Sequence, residues 1–250
     1  MRVETNVKLA SRNRSIANYL FLATLVVLIG GFFFINSSIF ASDTVDPTLL
    51  ILQVLVLPVT FIMTLLSIRM TNLWARPPRP ENVLPEALKG ISKKSVLYNY
   101  YHLPVRHLLI CPQGVFAIVT RWHDGTFDVE NDEFHARINP ISRFLSALRM
   151  DGVGNPIADA QKAAAHAQKL IQPFAPDVQV KPLIVFVNPR VELNVASSSV
   201  PVLYADGKRK PSLKDYTRDL YANTPESRRS LMPLTEEQIA AFEKATLPQA

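Results

Sequence analysis

The sequence predicts an α/β chain of the α+β kind, with two membrane-spanning helices followed by a mixed β-sheet flanked by helices. Three observations carry that expectation. Two long apolar stretches without charge lie near the start of the 250-residue chain. From Ser95 onward, short β-branched runs alternate with Pro, Gly and Asp-Gly turn signals. Helix-start signals at Asn155-Pro156, Ser212 and Thr235-Glu-Glu are interleaved with those runs.

The first apolar stretch runs from Ser15 to Ser42. Its length of about 28 residues makes roughly 42 Å of helix, against about 30 Å of bilayer hydrocarbon. The second, Pro47 to Ile68, supplies about 33 Å and contains Pro58, which a membrane helix tolerates. Ile39-Phe40-Ala41-Ser42 ends in small residues like a signal-peptide cleavage site. Its apolar core is too long for that reading, and a second span follows at once. Lys or Arg occurs at Arg2, Lys8, Arg12 and Arg14 before the first span and at Arg69, Arg76 and Arg79 after the second, whereas Asp43–Asp46 contains none. The positive-inside rule then places a multi-pass protein in the cell membrane with both termini in the cytoplasm. Gly30-Gly31 is suited to close helix packing or to a lipid-facing surface. Neither span holds an Asp, Glu, Lys, Arg or His, which argues against an ion or proton pathway.

The predicted organisation is a loosely ordered cytoplasmic head at residues 1–14, a two-helix anchor at 15–69, a Pro-rich linker at 70–83 and a soluble domain at 84–250. The linker prolines favour an extended spacer, with Trp74 suited to the membrane interface. Residues 69–250 carry 23 basic and 18 acidic side chains, a mild +5 that suits anionic lipid or nucleic acid and demands neither. The lone Cys111 cannot form an internal disulfide.

Within the soluble part, Leu84–Gly90 reads as a short helix and Ser95–Tyr101 as a strand. Val105–Cys111 and Val115–Arg121 read as paired strands joined at Pro112-Gln113-Gly114 and closed by Asp124-Gly125. Being apolar on both faces, they belong inside a covered sheet. Thr126–Glu130 and Phe134–Ile138 form a second hairpin about Asn131-Asp132, and Asn139–Met150 has one apolar helical face. Asn155 caps a helix to about Gln172. Strands follow at Val178–Val187 and Val200–Tyr204, then helices from Ser212 to about Tyr221 and from Thr235 to Lys244.

That order of elements, with the central hairpin VRHLLICPQGVFAIVTRWHDG, the Asn155-Pro156 helix carrying His166 and Leu170, and the strand VKPLIVFVN, resembles the nuclease-related domain (NERD) family over roughly Leu84 to Leu220. The resemblance implies a restriction-endonuclease-like fold. It also implies a metal site in which two strand carboxylates hold Mg²⁺ and a Lys orients the attacking water. In the matching positions this chain has Arg106 for the Asp, Val119 for the Glu and Arg121 for the Lys. Strand alternation keeps Val119 and Arg121 on one face, but Val has no lone pair and a guanidinium repels the metal.

The expectation is therefore a catalytically inactive, cytoplasm-facing NERD-like domain, a pseudoenzyme used for binding or scaffolding, with no cofactor. The alternative is a membrane-tethered, metal-dependent nuclease for DNA or RNA whose ligands have moved. In that case Mg²⁺ returns, with Glu86, Asp124, Asp128 and Asp159 as candidates, none of which spacing places on the expected strand face.

Other constellations are weak. The five histidines lack metal-ligand spacing, Ser197-Ser198-Ser199 lacks a nucleophile-elbow context, and Gly152-Val153-Gly154 lacks the rest of a dinucleotide loop. Basic clusters at Lys89/Lys93/Lys94, Lys208-Arg209-Lys210 and Arg228-Arg229 are the candidate contacts. Lys93, Lys94, Arg121, Lys208, Arg209 and Lys210 are expected to meet lipid headgroups or nucleic-acid phosphates. Expected partners are the membrane and nucleic acid or a protein, with a small molecule left unassigned.

Overall fold

The computed structural model describes residues 1–40, 47–137, 153–229 and 231–247. The chain divides into two compact units, one formed by Met1–Val7, Pro78–Pro140 and Val153–Ala250, the other containing Lys8–Pro77. Each is taken by itself.

The helical unit holds α1 (Val7–Phe40) and α2 (Pro47–Met70), both long and apolar enough to cross a membrane. Pro58 is accommodated inside α2. On α1, Ala10, Ala17 and Thr24 are buried, and Gly31 extends their seven-residue spacing. On α2, buried Thr60 and Ser67 repeat it. Thr24 Oγ1 lies 3.4 Å from the Met63 carbonyl, and a Cβ on Gly31 would sit 2.7 Å from Val56 Cγ1. Seven residues forward on α1 meet seven back on α2, so the helices form an antiparallel hairpin whose small residues admit close approach. Gly30 faces open space, so the two glycines divide between the two roles the sequence offered. At the hairpin base, Arg14 Nε donates to the Trp74 carbonyl at 3.3 Å. Trp74 lies in a π-helical turn, Thr71–Ala75, that continues α2.

The sheet unit is built on nine described strands: β1 (Arg2–Thr5), β2 (Val96–His102), β3 (Val105–Cys111), β4 (Gly114–Arg121), β5 (Gly125–Glu130), β6 (Glu133–Ala136), β7 (Val180–Phe186), β8 (Val191–Val195) and β9 (Val202–Tyr204). Among the described residues they make a six-stranded mixed sheet, β1-β2-β3-β4-β7-β9, and a three-stranded one, β6-β5-β8. The β3–β4 hairpin lies mid-sheet, with β7 parallel to β4, as continuous apolar runs require. Asn131 and Asp132 both have positive φ, the conformation of a tight primed turn, and they join β5 to β6.

Helices α3 (Pro80–Ala87), α4 (Pro156–Ile171), α5 (Leu213–Asn223) and α6 (Glu236–Thr246) flank the strands. Asn155 Oδ1 accepts the Ala158 amide at 2.9 Å, Ser212 Oγ accepts Asp215, and Thr235 with Gln238 forms a capping box. Leu108, Ile110, Val115 and Ala117 form one core with the alanines of α4. Leu97, Leu109, Phe116, Ile118 and Leu183 form the core of the other sheet face, with Leu84 and Leu213.

Two sequence expectations change here. The first residues of the head are not loose: Arg2–Thr5 pairs in parallel with Val96–Asn99 as the sheet edge. The linker is not extended throughout, because the π-turn occupies Thr71–Ala75 and α3 begins at Pro80, whose missing amide proton suits a first helical position. β8 was not among the expected strands. The helix expected over Asn139–Met150 lies outside the described residues.

Candidate functional site

In the β3–β4 pairing, His107 stands opposite Ile118. Carried one residue further, that register sets Arg106 across from Val119, on the face that packs α4. Val119 is a partly buried apolar residue against two core clusters. Arg121, two residues along, turns its guanidinium to the Asp159 carboxylate in the first turn of α4. Its Nε donates to the Val153 carbonyl at 3.3 Å and its Nη1 to the Thr120 carbonyl at 3.4 Å. Burial lowers the Arg121 pKa and the Asp159 charge raises it in part. The group is thus a held cation whose contacts with Asp159, Val153 and Thr120 are all made inside the fold.

The resemblance predicts a shared strand face, and alternation supplies it. Of the candidate carboxylates, Asp159 is the one that reaches this face. Asp159 arrives there from a helix, where strand spacing carries no information, and its charge is taken up by Arg121. The other candidates lie elsewhere. Glu86 pairs with Lys89 at 2.6 Å, and Asp124 is exposed at the turn before β5. Asp128 accepts from Arg137 and, at 2.8 Å, from Asn194, which holds its pKa low. Among the described residues no group of three His, Cys, Asp or Glu is placed to hold a metal ion.

The opposite sheet face carries a polar arrangement that sequence reasoning passed over. His107 Nδ1 lies 2.8 Å from Asn99 Oδ1 and Asn99 Nδ2 donates to Thr5 Oγ1 at 3.0 Å. His107 Nε2 is 3.5 Å from Thr120 Oγ1. Because Asn99 Oδ1 can only accept, His107 carries its proton on Nδ1 and accepts at Nε2. The chain of contacts joins β1, β2, β3 and β4. Its centre is fully buried, and desolvation first, then the Arg106 charge, push the His107 pKa down to about 3. Such an imidazole stays neutral near pH 7 and acts as a fixed hydrogen-bonding brace, not a proton carrier. Beside it, Tyr100 adopts φ 66° at a register shift in β2 and donates to Glu81 at 2.7 Å.

His102 is a second buried imidazole. It stacks on Phe242 of α6 at 5.0 Å, and its Nε2 lies 3.0 Å from Thr246 Oγ1. Burial first, then the charge of His166, lower its pKa to about 4. Tyr98 donates to Glu243 at 2.6 Å, and Glu243 also pairs with Arg2, so α6 clasps both β1 and β2.

The basic clusters divide in the same way. Lys93, Lys94, Lys208 and Lys210 are exposed. Lys210 lines a cleft of about 400 Å³ with Tyr216, Asp215 and Arg218. Arg209 instead folds back on the Pro189 and Val191 carbonyls and over the Tyr204 ring at 4.2 Å. Arg229 donates to the Thr224 and Ala222 carbonyls at the end of α5. Arg121 and Arg209 therefore serve as internal ties, which leaves the lysines as the outward cations of the predicted contact set. Comparison of the chain with protein-family models, with curated proteins and with solved structures returns no match.

Proposed function

We propose that this protein is a membrane-anchored, cytoplasm-facing sheet domain that binds or scaffolds and does not cleave nucleic acid, a NERD-like domain whose metal chemistry has been replaced. The observation that carries the reading is the Arg121–Asp159 pair. At the position where the resemblance calls for a catalytic Lys stands a guanidinium, and the nearby carboxylate neutralises it. Arg106 and Val119 supply neither of the expected oxygen ligands.

The membrane part of the reading is supported by topology as well as hydropathy. β1 precedes α1 and β2 follows α2, yet they are neighbours in one sheet. Both ends of the hairpin must then lie on one side of any membrane it crosses. The basic flanks favour the cytoplasmic side. Cleavage near Ala41 would remove a strand of the sheet, which argues against a signal peptide.

The test uses the full chain in detergent, because a fragment starting after the anchor lacks β1. It is incubated with plasmid DNA and with RNA in Mg²⁺ and in Mn²⁺. The expected outcome is no turnover. Cleavage that EDTA abolishes and that Asp124→Ala, Asp128→Ala or Glu86→Ala removes would establish the relocated-site nuclease instead.

A further inference from the structure

The hairpin seam fixes which way the residues at the base of α1 and α2 face. At about 100° per residue, a position two residues from a seam residue points roughly 200° away, to the outside. Lys8 and Arg12 lie two residues either side of Ala10, and Arg69 lies two beyond Ser67. All three are exposed, and none has a polar partner among the described residues. Their neighbours on the base are spoken for: Arg14 reaches the Trp74 carbonyl, and Arg76 donates to Asn72 Oδ1 at 2.9 Å. Residues 7–14 and 69–77 contain no Asp or Glu, so nothing acidic within these stretches offsets the outward cations. Arg69 follows directly on the charge-free stretch that ends at Ile68, and Arg12 lies three residues before the one that starts at Ser15. The polar layer of a bilayer leaflet is about 5–8 Å deep, so both guanidinium groups fall at the depth of lipid phosphates.

Resting on the anchor reading, we infer that the base of the α1–α2 hairpin is a collar that binds anionic phospholipid headgroups through Lys8, Arg12 and Arg69. Each cation near an anionic lipid surface contributes about 1 kcal/mol, or about fivefold in binding, so the three together set a preference of about a hundredfold. The soluble-domain lysines play no part in it.

The experiment is native mass spectrometry of the full chain in detergent, titrated with phosphatidylglycerol or with phosphatidylcholine, beside flotation with phosphatidylcholine vesicles. Phosphatidylglycerol is expected to bind much the more tightly, K8Q/R12Q/R69Q to lose most of that preference, and K93Q/K94Q to keep it. Millimolar inorganic phosphate is expected to leave the bound lipid in place, and its displacement would reassign the site to free phosphate. Equal affinity for the two lipids, or an undiminished preference in the triple variant, overturns the inference. A wild-type chain that fails to float overturns the anchor reading itself, whereas one that floats without lipid preference overturns only the collar.

Discussion

Arg121 is a structural side chain at the position where the sequence resemblance would place chemistry. Its guanidinium is mostly buried and Asp159 is half exposed, so their attraction is screened on one side only. Asp159→Ala is expected to cost about 1–2 kcal/mol, less than a fully buried pair would, and Arg121→Met to suppress most of that loss in the double variant. Denaturant midpoints of the four proteins measure this coupling, and additivity would refute it. His107 and His102 set the acid response. Their folded pKa values, about 3 and about 4, lie below the ordinary 6.5 of an unfolded histidine. The unfolded chain therefore binds more protons between those limits, and stability present above pH 6.5 is lost as pH falls toward 4. Thermal melts from pH 7.5 to 4.5 should fall more steeply for the natural protein than for His107→Gln. Alternation along β4 made the shared face of Val119 and Arg121 legible in the sequence. Asp159 was illegible as their neighbour because helix-to-strand packing leaves no mark in local spacing.

At the level of elements, legibility followed the range of the interactions that define each one. The β3–β4 hairpin, the Asn131-Asp132 turn and the caps at Asn155, Ser212 and Thr235 depend on residues a few positions apart, and the sequence shows them. β1 is four residues, two of them charged, and is a strand only because β2 offers an edge. β8, VELNV, does alternate, but it is short and is separated from Asn188-Pro189 by Arg190 alone. The seam in the hairpin is legible as a seven-residue repeat of Ala10, Ala17, Thr24 and Gly31, in which Gly31 is the one glycine. The structure separates Gly31 from Gly30 sharply. Gly31→Leu is expected to force the helices apart, while Gly30→Leu is expected to be silent. Cross-linking of a Thr24→Cys/Met63→Cys pair reports the difference, and equal yields in both backgrounds would dispose of the proposed seam.

At the scale of the whole molecule, the N-terminal strand belongs to the sheet unit although the chain passes through the helical unit before returning to it. Removing residues 1–5 should therefore expose β2 as a bare edge, release Asn99 from Thr5 and Glu243 from Arg2, and leave the apolar helices untouched. The expected result is a protein that still extracts with membranes but whose sheet unit melts lower and aggregates. A deletion that melts like the full chain would mean that β1 contributes nothing. Topology can be mapped by labelling single cysteines with a membrane-impermeant maleimide. Cysteines at Glu4 and Lys208 are expected to share one side and a cysteine at Thr44 to react from the other.

The place of β1 also sets a schedule for making the protein. Synthesis delivers Arg2–Thr5 first, yet its partner Val96–Asn99 emerges about ninety residues later, after both helices. Through that interval the strand has no edge to join. The brace from Thr5 to Asn99 and His107 therefore waits until His107 has been made, and in a bilayer a hairpin with only one helix across would leave β1 and β2 on opposite sides. A complete sheet thus reports that the two ends of the hairpin share one side, and an incomplete one leaves β2 as an open edge.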